Sequence, residues 1–204
     1  MIKALAVLIC LVAASWMPIS VDAARPVFAF GNLTYLGSGC PKEISISTAT
    51  DAQSVSVLFS EYSATTTRSV SLARKTCNLM VNVDVLPGIT IGIFKADYRG
   101  YAFVPSTPKA YTEFSASYFF AGATGPTYKK RWGPDTEEDV FISNSVTATA
   151  VAWSPCNTTT TLRINSAIIA SKPVGTLENP LIEIDSADIN VDKSFAFYLT
   201  YKTC

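Results

Sequence analysis

The chain has 204 residues, of which 49% are hydrophobic and 16% charged, with 16 basic and 16 acidic side chains and no histidine. The balanced charge provides no basic field to draw in nucleic acid or anionic lipid, so neither is expected as a partner. Without imidazole, Ser-His-Asp and Cys-His catalysis are excluded, together with zinc or copper centres built on histidine; no metal and no cofactor are expected.

Residues 1–23 read as a secretory signal peptide. Lys3 supplies the positive n-region, Ala4 to Trp16 form an apolar stretch too short to span a bilayer, and Val21 and Ala23 are the small residues before the cleavage point, leaving Ala24 as the new N-terminus. Cleavage takes away Lys3, Asp22 and Cys10, and so leaves 15 charges of each sign and four cysteines. The remaining residues 24–204 suit one secreted domain, large enough to bury about 70% of its unfolded surface. No later apolar run reaches about 18 residues, and the closing Tyr201-Lys202-Thr203-Cys204 has no hydrophobic tail for a lipid anchor. An extracellular product without an integral membrane segment is expected.

Period-two alternation then dominates, and helical periodicity is absent beyond two turns. Ile44, Ile46 and Thr48 alternate with Glu43, Ser45 and Ser47, and Val55, Val57 and Phe59 alternate with Ser54, Ser56 and Ser60. From Leu79 to Lys95, Val81, Val83 and Val85 are followed by Pro87-Gly88 and by Ile89, Ile91 and Ile93, which predicts a hairpin. A loop of Leu86 to Gly88 pairs Val85 with Ile89, Val83 with Ile91 and Val81 with Ile93, keeping the apolar faces together, with Gly88 in the left-handed turn position. Leu86 precedes a proline and so resists the helical conformation of a regular three-residue turn. Further strands are expected at Tyr98 to Val104, Glu113 to Phe120, Val140 to Trp153, Leu162 to Ile169, Leu181 to Asp185 and Phe195 to Tyr201. About nine short strands punctuated by Gly, Pro and Ser define an all-β chain, an antiparallel β-sandwich with the jelly roll as one candidate topology. Gly122 to Asp139, with Gly125-Pro126, Lys129-Lys130-Arg131 and Gly133-Pro134, reads as the longest irregular stretch and the first place to look for function.

Cys40, Cys77, Cys156 and Cys204 allow three pairings. If the strand after Cys40, the strand around Val55 and the strand after Cys77 form a meander, Cys40 and Cys77 meet at one end of it. If the final strand returns beside Leu162 to Ile169, Cys156 meets Cys204. Cys40–Cys77 and Cys156–Cys204 are therefore preferred, as structural bridges, because no Cys-x-x-Cys spacing points to redox work.

Candidate chemistry is sparse. Asp84, Asp97 and Glu113 are the acids placed on or beside strands, and two carboxylates flanking a bond are all that glycoside hydrolysis needs. The bland reading, ordinary solvent-face carboxylates, is preferred, and no catalytic residue is assigned. Asp135-Thr136-Glu137-Glu138-Asp139 offers oxygen ligands for calcium but lacks the spacing and glycine of an EF-hand, so a solvated acidic loop is preferred. Lys129-Lys130-Arg131 is read as a wet loop balancing those acids rather than as a dibasic processing site. Exposed rings stack on sugars while polar neighbours bond the hydroxyls, which makes Tyr128 and Trp132, and Tyr98 and Tyr101 around Asp97 and Arg99, the candidate binding residues. Phe119, Phe120, Trp153, Phe195 and Phe197 are expected in the core. Asn32-Leu33-Thr34 and Asn157-Thr158-Thr159 are glycosylation sequons, and both need a surface position. Gly100 marks a bulge or a close approach.

Five motifs occur in one order: Gly37-Ser38-Gly39-Cys40-Pro41, Lys75-Thr76-Cys77-Asn78-Leu79, Asp97-Tyr98-Arg99-Gly100-Tyr101-Ala102, Trp153-Ser154-Pro155-Cys156 and Lys202-Thr203-Cys204. Together they make the chain resemble the domain-of-unknown-function 4360 family, small secreted proteins frequent in filamentous fungi and seen in other microbes. The chain departs from that pattern with Asn157 where glycine is usual and with Phe119-Phe120-Ala121 where a Tyr-Phe-Ser run is usual. The resemblance implies an exported, disulfide-bonded β domain and brings no activity or catalytic residues. The resulting expectation is a secreted, non-enzymatic β-sandwich binding glycan or protein at a cell surface, a wall or a host interface. The alternative is a carboxylate-dependent carbohydrate-active enzyme. Membrane attack is disfavoured, because no amphipathic hairpin stands apart from the core strands.

Overall fold

A computed structural model describes residues 27–40, 44–48, 54–59, 61–121, 123, 125–184 and 195–204. The expected leader at 1–23, and Asp185 at the end of an expected strand, lie outside them. The strands are β1 (Phe28–Leu36), β2 (Ile44–Thr48), β3 (Ser54–Phe59), β4 (Ser63–Thr65), β5 (Leu72–Val85), β6 (Ile89–Val104), β7 (Tyr111–Phe120), β8 (Thr127–Trp132), β9 (Thr136–Ser145), β10 (Thr160–Ser171), β11 (Leu181–Glu183) and β12 (Phe195–Thr203). All pairing is antiparallel. The first sheet runs β1-β5-β10-β7-β8, and the second runs β2-β3-β12-β6-β11-β4 with β9 also on β6.

Alternation explains how the two sheets face each other. On β10, Leu162, Ile164, Ile168 and Ala170 are buried while Arg163 and Asn165 face water; on β7, Phe114, Ala116, Tyr118 and Phe120 go inward. The second sheet answers with Ile91, Ile93, Ala96, Tyr98, Ala102 and Val104 from β6 and Phe197 and Leu199 from β12. The inward set on β6 changes parity between Ile93 and Ala96, next to the β12 register shift between Tyr198 and Leu199. That bulge turns both Phe94 and Lys95 away from the core.

Strand β6 is the spine of the second sheet. Along one side it pairs first with β12, from Ile89 to Tyr98, and then with β11, from Tyr101 to Phe103. Along the other it pairs with β9 from Lys95 to Val104, after a bridge between Gly92 and Trp153.

Polar groups cross the dry interior in pairs. The hydroxyls of Tyr98 on β6 and Tyr118 on β7 hydrogen-bond each other, and Asn144 Nδ2 donates to Tyr118 at 3.4 Å. Tyr62, just before β4, donates to Ser166 Oγ on β10 at 3.1 Å, and Ser166 donates on to the Cys77 carbonyl at 2.9 Å. Burial pushes the Tyr118 phenol up to about 12 and raises Tyr98 and Tyr62 as well, so all three remain neutral across the ordinary pH range.

Several expectations change. The Val81–Val85 and Ile89–Ile93 runs do not form a hairpin: β5 belongs to the first sheet and β6 to the second. Their apolar residues sit on opposing inner faces, and Leu86-Pro87-Gly88 crosses between sheets, with Gly88 at φ +79 as expected of that position. The meander is likewise replaced. β2 and β3 pair with each other in the second sheet, and Cys77 lies within β5 of the first. Both expected disulfides nevertheless form. Leu36 of β1 pairs opposite Asn78, so the Gly37–Cys40 turn falls beside Cys77, with a Cα–Cα distance of 4.8 Å. Cys156 and Cys204 (Cα–Cα 6.2 Å) meet beside the start of β6, where Asn157 N bonds Ile89 O at 3.4 Å and Thr203 pairs with Ile89, although β10 and β12 are in different sheets.

The stretch Gly122 to Asp139 is not an irregular loop, since it contains β8 and the start of β9. The chain passes there from the edge of one sheet to the other, and Glu138 closes the side by accepting from the Trp132 indole at 2.6 Å and approaching Lys130 at 3.7 Å. The strand expected over Val140 to Trp153 ends at Ser145. At the end of β10, Lys172 is 5% exposed, and its ammonium donates to the Thr176 carbonyl at 2.7 Å, the Glu178 carbonyl at 3.3 Å and Asn179 Oδ1 at 2.7 Å.

At Gly100 the end of β11 lies close against β6: a Cβ there would overlap the Glu183 carbonyl oxygen. The Gly100→Ala variant is expected to lose about 2 kcal/mol of stability in denaturant unfolding, whereas Gly133→Ala, where a Cβ meets nothing within 4 Å, should stay close to wild type.

Candidate functional site

The motif Asp97-Tyr98-Arg99-Gly100-Tyr101 lies in the middle of β6, and alternation divides it. Asp97, Arg99 and Tyr101 point to the outer face of the second sheet. Tyr98 points inward and is fully buried, its ring 4.6 Å from that of Phe114. Tyr98 is therefore a core residue, and its place as a binding residue is corrected.

On the outer face the three are joined by residues that the sequence reading did not single out. Lys95 forms an ion pair with Asp97 at 2.8 Å and lies over the Tyr198 ring at 4.6 Å, and Phe94 packs against Tyr198 at 6.1 Å. The Arg99 guanidinium lies over Phe141, its register partner on β9, at 5.1 Å. Tyr101 donates to Glu137 at 3.0 Å, with Asp139 opposite it on β9 and Glu183 opposite it on β11. Phe141 is 59% exposed and Phe94 39%. Asp97 Oδ2 takes the lysine, while Oδ1 is enclosed and accepts no hydrogen bond among the described residues. The hydrogen bond to Asp97 raises the Lys95 pKa; burial and then the Asp97 charge raise that of Tyr198. Phe141 was readable as the outward residue between Val140 and Ile142, once Asp139 is taken to face water. Phe94 was readable in the same way, one past the inward Ile91 and Ile93, whereas Lys95 was not, because the bulge changes its side.

The other candidates lie on the far side of the sandwich. Tyr128 is half-buried on β8 and packs against Phe114 at 6.3 Å, and Trp132 is 4% exposed with its N–H committed to Glu138. Trp132 closes the sheet edge and offers no free ring face, since Lys130 lies over it at 4.7 Å; its place as a stacking residue is also corrected. Phe120 and Phe197 are core as expected, whereas Phe119 is half-buried on the outer face and Trp153 is half-buried under Lys202 at 4.0 Å.

The basic run is strand, not wet loop. Lys129 and Arg131 on β8 hold Glu113 on β7 at 2.9 and 2.7 Å, and Arg131 also stacks on Tyr111 at 4.0 Å. The acidic run does not gather. Asp135 accepts from Ser106 at 2.9 Å, Glu137 from Tyr101 and Glu138 from Trp132, and no group of three acids, cysteines or histidines among the described residues is placed to hold a metal ion. The three acids considered for hydrolysis are separated too. Asp97 faces outward from the second sheet, and Glu113 and Asp84 from the first. Glu113 lies across β10 from Arg74, ten residues along β5 from Asp84, which is about 30 Å. Asn32 and Asn157 are both exposed. Asn157 has φ +62, a left-handed conformation that asparagine tolerates better than most residues, and its Oδ1 accepts from Gly88 N.

An all-β, doubly stapled sandwich with an aromatic and charged outer face is the class defined by this geometry. The chain belongs to the family described as Domain of unknown function (DUF4360), whose sequence model matches residues 28–204. It is also similar to an uncharacterized secreted protein of Arthroderma benhamiae, with 32% identity over 141 residues, covering 67% of this chain and 56% of the relative. The chain thus spans just over half the length of that relative. Export, read from the leader and the cysteine count, agrees with the relative's description.

Burial pushes the Glu113 carboxyl up, but hydrogen bonds from Lys129 and Arg131 outweigh it and hold its pKa below the usual range. A depressed folded-state pKa adds stability above the unfolded value near 4, and the contribution is lost as pH falls through the folded value. Glu113→Gln should therefore cost about 1 kcal/mol at neutral pH, the half-exposed cations limiting the effect. The gap to wild type should close in acid, as read by thermal melts across pH.

Proposed function

We propose that the protein is an exported, non-enzymatic glycan-binding module, acting at a cell surface, a wall or a host interface through the outer face of its second sheet. The observation that carries this reading is the stripe of Phe94, Tyr198, Phe141 and Tyr101, interleaved with Lys95, Asp97 and Arg99. Apolar ring faces stack on sugar rings, and the fixed charges between them bond hydroxyls. Lys95 to Tyr101 covers about 20 Å of strand, which suits an extended oligosaccharide better than a single sugar. The partner's recognition chemistry is thus that of a linear polysaccharide. The hydrolase alternative finds less support, because Asp84, Asp97 and Glu113 do not face one another across a groove.

Phe141→Ala and Arg99→Ala should each weaken retention on cell-wall polysaccharide or an oligosaccharide array about tenfold, the loss of one stacked contact worth roughly 1–1.5 kcal/mol. The melting temperature should be unchanged. Folded wild-type protein retained by no polysaccharide would overturn the proposal.

A further inference from the structure

We propose that Asn32 carries an N-linked glycan that covers the open edge of the first sheet, while Asn157 serves the fold unmodified. This inference is independent of the polysaccharide-binding face, which lies on the other sheet.

Strand β1 is the outermost strand of the first sheet, and among the described residues its pairing is with β5 alone. Among the described residues no strand lies on its far side, and an edge of that kind is a template for another strand. Natural edges are protected by lysine, proline, charge or a covering segment, yet β1 reads Phe-Ala-Phe-Gly-Asn-Leu-Thr-Tyr-Leu, with neither a charged residue nor a proline. Leu36, at its end, is 71% exposed.

The interruption in this strand is at the sequon. The register with β5 shifts between Phe30 and Leu33, so Gly31 and Asn32 bulge out of the ladder, and Asn32 and Thr34 are both exposed while Leu33 is half-buried. A bulge places the carboxamide clear of the sheet without costing the pairing of Leu33 to Leu36. A bulky, hydrated oligosaccharide there stands beside this outer edge and denies it to a second chain.

The second sequon is built differently. Asn157 takes the left-handed conformation, its Oδ1 accepts from Gly88 N, and its neighbour Cys156 is tied to Cys204. The Thr159 hydroxyl donates to Asp84 at 3.0 Å. The carboxamide thus holds the Leu86–Gly88 crossover, and the hydroxyl the end of β5 just before it, to the chain entering β10.

The modification joins C1 of the reducing-end sugar to Asn32 Nδ2, which loses one proton. The sugar–phosphate bond of a polyprenyl-diphosphate oligosaccharide donor breaks, and the lipid diphosphate leaves.

The test expresses the full chain with its own leader in a eukaryotic secretory host and compares intact masses before and after peptide-N-glycosidase. Wild type and Asn157→Gln should carry a removable glycan, and Asn32→Gln and Thr34→Ala should lack it. Wild-type protein stripped under native conditions should move to larger species in gel filtration as concentration rises, while the glycosylated form stays at one size. An unmodified wild type, a glycan that survives Asn32→Gln and Thr34→Ala, or stripped protein that keeps its size at every concentration would overturn the proposal. The stripped wild type and Thr34→Ala keep it testable even where Asn32→Gln fails to fold.

Discussion

A hydroxyl enclosed between two apolar sheets must find another polar group or cost a few kcal/mol. Tyr98 and Tyr118 satisfy each other across the sandwich, and Tyr62 and Ser166 do the same a short way off. Apolar packing alone tolerates sliding, since one valine contact resembles the next. A hydroxyl pair does not: shifting either sheet by one residue strands two buried oxygens. These cross-sheet pairs single out one registration of the layers, and the outer faces inherit it.

The exterior of the second sheet follows from the same spine. Because Tyr98 must point inward, Asp97 and Arg99 must point outward, and β9 brings Phe141 under the guanidinium by ordinary register. Phe94 points outward by alternation from Ile93, and the bulge beside it keeps Lys95 on the same face, where strict alternation would have turned it inward. The candidate site is thus a by-product of core geometry on one strand, which explains why a single short motif holds both a central core residue and surface residues.

Much of the architecture was legible in the residues, and the failures have physical causes. Period two reports which face a side chain takes, not which strand lies beside it. Val81, Val83 and Val85 and Ile89, Ile91 and Ile93 were assigned correctly to the core, but apolar residues can meet across a sandwich as well as along a ladder. The disulfides were read correctly from wrong neighbours, because chain ends that meet at one end of a sandwich can come from either layer. β8 and the first residues of β9, Thr136 to Asp139, were hidden by charge. Lys129-Lys130-Arg131 and Thr136 to Asp139 look like solvent, yet edge strands keep charges on both sides. Tyr98 and Trp132 were taken as surface rings because aromatics near charges resemble a binding face; only burial shows that one is core and the other closes an edge.

Lys172 has a consequence for a protein that works outside the cell. Its positive charge is held by two carbonyl oxygens and an amide oxygen rather than by a carboxylate. Dissolved ions loosen exposed salt bridges by crowding around each partner, and they reach an enclosed ammonium ringed by neutral dipoles far less. The segment from Pro173 to Pro180 is therefore anchored by a contact that brine and fresh water leave alike, a useful property where the surrounding fluid is not under the cell's control.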